Sequence, residues 1–177
     1  MAAHSVTRKK PRGRDTGLSY TVLASLFMAL GVVIIVAALD YTNFTLQHSI
    51  GASAIIFASF GGSGFMLFVA SRKETANLAR FVKGYALGTI FGVAGHYIVP
   101  VLGIYVSIGV VLFLLSIVLV ITDSMHAPSV ALALAFLLYD VGYSGAVIVA
   151  LGMVMMVVIR ILLGKVESSM YSSSGMQ

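Results

Sequence analysis

Long uncharged runs separated by short polar breaks set the rhythm of this chain. Residues 18–39 form an apolar run of 22 residues closed by Asp40, and further apolar runs cover about 49–70, 79–99, 101–122 and 143–163. A shorter run occupies 127–139. About 20 residues of helix rise roughly 30 Å, the thickness of a bilayer's hydrocarbon core. The pattern therefore predicts an all-α fold, a polytopic transmembrane helix bundle of about six spans, one or two of them short or broken. The first run is too long for the roughly 7–15 residue apolar stretch of a signal peptide, so it is expected to stay as a span. The short run reaches only about 20 Å as helix, and crosses only if adjoining turns are buried or the membrane thins. A re-entrant hairpin with five spans is the alternative.

Charge fixes the expected orientation. Five of the 11 Lys and Arg precede residue 15, four are Arg72, Lys73, Arg80 and Lys83, and two are Arg160 and Lys165. The breaks at 40–48 and 99–101 carry none. Positive charge stays on the cytoplasmic side of short loops, so both termini are expected in the cytoplasm. The chain divides into a basic cytoplasmic tail at 1–16, a transmembrane helical domain at 17–164 and a polar C-terminal tail at 165–177, in the cell (inner) membrane.

Composition narrows the classes. Only 10% of residues are charged and 59% are apolar, against about 25% charged in soluble domains. That excludes a soluble globular enzyme, and a nucleic-acid binder despite the net charge of +5. There is no Cys for a disulfide, thiolate metal site or thiol nucleophile, and no Trp. Tyr20, Tyr41, Tyr85, Tyr97 and Tyr105 are expected to mark the membrane interface in its place.

Two segments carry candidate chemistry. The first is Gly61-Gly62-Ser63-Gly64 within the second run, where three glycines in four positions weaken a helix by roughly 1 kcal/mol each relative to Ala. A break there would start a half-helix at about 64–70 whose amides face a site at mid-depth; close packing through small residues is the alternative. The second is Asp123-Ser124-Met125-His126-Ala127-Pro128-Ser129, where Pro128 suits a first helical turn and Ser124 or His126 is positioned to cap it. Helix N-termini carry free N–H groups and positive dipole, which favour an anion. Paired interrupted segments are the sequence pointer to a transporter site.

Gly84, Gly88 and Gly92, followed by His96, make a four-residue stripe that predicts tight helix packing, within one subunit or between subunits. Arg80 and Lys83 share a face, as snorkelling anchors or as a positive vestibule. Asp140 is either a buried proton or cation site or a solvated interface residue. His96 reads as an interface residue. Met153, Met155 and Met156 read as packing, with no soft-metal partners. Asp123 and His126 beside Ser124 make a weak catalytic signal without a third group. No enzyme activity, metal or cofactor is expected.

Three stretches together resemble the HPP family of integral membrane proteins. Ser59-Phe60-Gly61-Gly62-Ser63-Gly64-Phe65-Met66-Leu67-Phe68 is similar to the family's S/P-F-G-A-S-A-V-L-L-F stretch, and residues 77–93 are similar to its Q-P-R-N-V-I-G-G-H-L-L-S-A-L-V-G-V run. His126-Ala127-Pro128-Ser129-Val130-Ala131-Leu132-Ala133-Leu134 resembles H-P-P-A-G-A-T-A-L, with Ala127 at the first proline; Lys83-Gly84-Tyr85 stands at the family's Gly-Gly-His. The resemblance covers about 50–163. It implies a helical membrane protein, and some relatives are associated with nitrite transport in chloroplasts and cyanobacteria.

The resulting expectation is a transporter or channel for a small inorganic anion, nitrite in particular. Amides of Gly61, Gly62, Ser63 and Gly64 and of the 127–129 turn would line the path. The Ser63 and Ser129 hydroxyls and His126 would donate hydrogen bonds, with Pro128 shaping the turn. Arg80 and Lys83 would gather anions, and Asp123 and Asp140 would serve the vestibule or coupling. The lipid bilayer, the anion and further copies of the chain are the expected partners. The alternative is a non-transporting scaffold or sensor subunit acting through its basic tail, which is expected to bind anionic lipid.

Overall fold

The computed structural model describes residues 18–46, 50–69, 77–139 and 141–173, and all of the regular structure among them is helical. The elements in order are α1 (Leu18–Leu46), α2 (Ile50–Gly64), a π-helical segment (Phe65–Val69), α3 (Leu78–Leu102), α4 (Ile104–Ile121), α5 (Ala127–Leu138) and α6 (Gly142–Ser173). The basic tail at 1–16, the Arg72-Lys73-Glu74 cluster and Asp140 lie outside the described residues.

Among the described residues three helices are long and apolar enough to cross a membrane, namely Leu78–Leu102, Ile104–Ile121 and Gly142–Val166. Val22–Ile35, Ile56–Val69 and Ala127–Leu138 are shorter apolar helices. Several boundaries differ from the sequence expectation. α1 runs through the polar residues after Asp40 to Leu46, and α6 continues past Lys165 to Ser173. α3 does not stop at the expected 99–101 break: Pro100 lies inside it, and the turn into α4 comes at Gly103. Gly103 has φ +77°, a left-handed conformation that glycine adopts without Cβ strain.

The larger difference concerns Gly61–Gly64. α2 continues through all three glycines as α-helix, so no half-helix begins there, and the chain widens into the π-helical turn only at Phe65. In hydrocarbon the backbone has no water to fall back on, so a continuous hydrogen-bonded ladder outweighs the weak propensity of glycine. The packing alternative holds at Gly64, where a Cβ would stand 3.1 Å from Val32 Cγ2 of α1 and 3.7 Å from Met156 Cε of α6.

α5 lies inside the bundle, packed chiefly on α3 and also on α2 and α4, while α1 lies on α6 and the π-helical segment. Its 12 residues rise about 18 Å, and Leu132, Ala133, Ala135 and Phe136 are fully buried. Contact with α3 is made by the glycine stripe, within one chain. A Cβ on Gly88 would lie 2.5 Å from the Ser129 carbonyl oxygen, one on Gly92 would lie 2.9 Å from Phe136 Cβ, and one on Gly95 would lie 2.6 Å from Leu137 Cδ2. Met156 is buried in the core and Met153 and Met155 pack against it.

Gly88→Ala is expected to cost about 2 kcal/mol, because the added methyl meets backbone that cannot yield without separating two helices. Gly109→Ala on exposed α4, where nothing lies within 4 Å of the added carbon, is expected to leave stability unchanged or raised. Thermal unfolding of both variants in one detergent measures the contrast.

Candidate functional site

Ser59 and Ser63 stand one helical turn apart on α2 and present both hydroxyls to the same side. Phe81 and Tyr85 repeat that spacing on α3. Between them enters the segment that links α4 to α5, and its course follows from how α4 ends. The Ser124 N–H donates to the Leu119 carbonyl at 2.8 Å and the Asp123 N–H to the Val120 carbonyl at 3.2 Å. This is the Schellman pattern, with Asp123 in place of glycine at φ +48°. The chain turns back sharply, and His126 becomes the extended residue preceding α5.

His126 does not cap α5 with its side chain. The ring turns inward instead and is buried. Ser124 does not cap it either, since its hydroxyl donates to the Thr122 carbonyl at 3.0 Å. Past Ala127, whose N–H has no intrahelical acceptor, the first turn of α5 is satisfied locally: Pro128 has no N–H, and the Ser129 N–H and hydroxyl both donate to the His126 carbonyl. The expected convergence of free amides from two helix N-termini is therefore not formed. α2 is unbroken at one segment, and α5 serves its own first turn at the other.

Side chains converge instead. Ser63 Oγ lies 2.8 Å from His126 Nε2 and 2.9 Å from the Tyr85 hydroxyl, and Ser59 Oγ lies 2.7 Å from the same hydroxyl. Ser59 Oγ donates to the Pro128 carbonyl at 3.0 Å, and Ser63 Oγ donates to the Ser59 carbonyl at 2.9 Å. Each serine has one hydroxyl proton, and both are committed to carbonyls. With the serine protons assigned in this way, Ser63 accepts from His126 and the imidazole carries its proton on Nε2. The single Tyr85 proton serves two serine oxygens. The other ring nitrogen, Nδ1, is left as a bare lone pair, buried and without a hydrogen-bond partner.

Aromatic rings enclose this cluster. Phe81 stands edge-on to His126 with centroids 5.5 Å apart and 4.6 Å from Tyr85, and Phe60 lies 5.1 Å from Tyr85. Gly84 makes room beside them: a Cβ there would sit 2.8 Å from both His126 Cβ and Ser129 Oγ. A cavity of about 330 Å³ opens beside the site, lined by Met66, Leu119, Val120, Met125, His126 and Val130 among others.

Of the residues expected from sequence, Ser63, His126 and Pro128 meet here, Pro128 through its carbonyl. Ser129 abuts the site but its hydroxyl is spent on its own turn. Gly62 touches Pro128, with 3.6 Å from its would-be Cβ to Pro128 Cγ; Gly61 faces open space, and Gly64 packs toward α1 and α6. Asp123 is not paired with His126. It is bound by Arg80 at 2.8 Å at the rim of the bundle, which removes the acid from any Asp-His arrangement. Lys83 is exposed. His96 is half-buried beside the exposed Tyr97, rings 5.2 Å apart. Among the described residues no three of His, Asp or Glu gather as a metal site would require.

Two members were missed. Tyr85, expected at the membrane interface with Tyr41, Tyr97 and Tyr105, is fully buried, while those three are exposed. Ser59 was not singled out. The available signal was the four-residue spacing of Ser59 with Ser63, and Tyr85 lying next to the glycine stripe. Tyr85→Phe is expected to cost about 1–2 kcal/mol by removing one shared donor from buried serines. Tyr105→Phe, at a position 87% exposed, is expected to cost nothing measurable; thermal unfolding in detergent compares them.

The polar cluster is built from the very stretches that carry the resemblance noted in the sequence. No curated protein and no solved structure matches the chain. A family model described as HPP, transmembrane region, matches residues 16–172. With nearly the whole chain covered, and a helical bundle of apolar helices beneath it, this is a membrane protein of the HPP family.

Proposed function

We propose that the protein is a transporter or channel for a small inorganic anion, with nitrite as the specific ion. The observation that carries this reading is the closed cluster of Ser59, Ser63, Tyr85 and His126, buried where α2, α3 and the start of α5 meet in an otherwise apolar bundle. An ionisable side chain such as His126 inside a membrane bundle is costly to bury and is a functional-site candidate by default. Hydroxyl and imidazole N–H donors suit an anion stripped of water, because they replace its hydration shell without binding it too firmly to leave.

The chemistry of release is built into the donor set. Ser63 spends its proton on the Ser59 carbonyl, which is also an acceptor in the α2 ladder. Its hydroxyl can therefore turn to an ion without stranding a buried carbonyl. His126 Nε2–H is the second donor and Tyr85 the third. Lys83, exposed on the second turn of α3, raises anion concentration at the same end, while Arg80 holds the linker through Asp123.

The test is nitrite entry into liposomes reconstituted with purified protein, followed by an internal reporter, with chloride, formate and nitrate in parallel. Saturable nitrite flux above empty liposomes is expected. Ser63→Ala is expected to reduce it about tenfold, the equivalent of roughly 1.4 kcal/mol of lost interaction with the ion. Ser168→Ala on α6, whose hydroxyl is exposed and bonded to the Lys165 carbonyl, is expected to leave it unchanged. Absence of flux for every anion, from protein shown to be folded and inserted, would refute the proposal.

A further inference from the structure

An anion at this cluster presents a charge problem. Ser59, Ser63, Tyr85 and His126 bond to one another and to backbone carbonyls, with no Lys or Arg of the described residues among their partners. The nearest guanidinium, Arg80, is held by Asp123 at the rim. On the elements packed around His126, the other ionisable groups are Tyr85 and the exposed Lys83 on α3, His96 and Tyr97 near the opposite end of α3, and Tyr105 at the far end of α4. α2, the π-helical segment and α5 carry none. A bare anion among phenyl rings and hydroxyls, reached beside an apolar cavity, would be an uncompensated buried charge, which costs far more than neutral hydrogen bonds return.

One atom can resolve this. With Nε2 donating to Ser63, His126 Nδ1 is a buried lone pair with no partner. An orphaned buried polar atom in a closely packed site calls for an explanation. We propose that His126 Nδ1 takes up a proton with each anion, so that the site fills with a neutral pair and transport is electroneutral anion–proton symport. This rests on the anion-transport reading above.

The step balances. A proton from water on the entry side bonds to the Nδ1 lone pair, giving an imidazolium whose Nε2–H still serves Ser63. The anion then lies against a unit positive charge. On the exit side the Nδ1–H bond breaks, the proton returns to water, and the anion leaves with it. Net charge moved is zero, and the neutral ring returns to its starting tautomer. Protonation breaks no existing bond in the cluster, since Ser63 already accepts from Nε2. It converts Nδ1 from an unpaired acceptor to a donor that only an incoming acceptor can satisfy.

Liposomes containing the wild-type protein separate two driving forces with nitrite as probe. In one arm, valinomycin and a potassium gradient impose a potential at equal pH on both sides. In the other, the potential is clamped at zero and the outside is made acid. Passive entry of the conjugate acid is subtracted using empty liposomes. Symport predicts that an imposed potential leaves the rate unchanged. It predicts a rise of about tenfold per unit of external acidification while the imidazole is mostly neutral. An encapsulated pH dye should report one proton per nitrite. His126→Asn, which keeps a side-chain donor but cannot take a proton, is expected to lose the acid stimulation. Nitrite flux that follows the potential and ignores pH would overturn the proton inference while leaving anion transport standing. Absence of any flux would overturn the transport reading and the inference with it. The potential arm needs no variant, so a misfolded His126→Asn protein does not blunt the test.

Discussion

α3 lies against α5 at backbone distance because Gly84, Gly88 and Gly92 carry no side chain where His126, Ser129 and Phe136 stand. Lipid offers no hydrophobic drive to bring helices together, since the acyl chains are as apolar as the side chains. Close van der Waals approach and interhelical hydrogen bonds must supply it. The glycine face provides the first and makes the second possible. Only with α5 drawn this near does the Pro128 carbonyl come within reach of Ser59, and His126 within reach of Ser63.

The short length of α5 follows from the same arrangement. A helix of 12 residues cannot span the hydrocarbon alone, but it needs no span of its own while α2, α3 and α4 surround it. Its polar N-terminal end is kept from lipid by the aromatic rings of Phe60, Phe81 and Tyr85, and by the Arg80–Asp123 pair at the rim. That pair is well exposed on the Asp123 side, so it holds the linker's course more than it stabilises the fold. The cluster is thus a product of close packing and of a linker that turns the His126 ring inward ahead of α5.

The apolar runs were legible because hydrocarbon thickness is a one-dimensional constraint and charge is scarce. The glycine stripe was legible for a related reason: residues 84, 88 and 92 fall on one helix face whatever lies opposite. Gly61–Gly64 misled because helix propensity measured in water says little where an open backbone has no solvent. The apolar runs were expected to close at Asp40 and at 99–101, because a charge or a proline interrupts such a run, yet α1 and α3 continue past both. Ser63 and His126 were each found from local pattern, but their bond joins residues 63 positions apart. Which side Tyr85 faces depends on how α3 rotates against α5, and that is set by Gly84 and Gly88, not by Tyr85 itself.

The altered signature can now be placed. The chain has His126-Ala127-Pro128 where the family's motif has two prolines. Pro128, retained, contributes its carbonyl to Ser59 and its ring to the contact with Gly62. His126, retained, closes the cluster on Ser63. Ala127, the changed position, is exposed and lines the cavity beside His126. Losing the proline ring there restores an N–H at the first residue of α5, a position that has no intrahelical acceptor to serve, and enlarges the cavity wall. The substitution therefore leaves the hydroxyl–imidazole geometry alone and acts on the approach to it. On the function proposed above, differences between this protein and relatives with the full motif should then concern access to His126, with the hydroxyl and imidazole groups of the cluster unchanged.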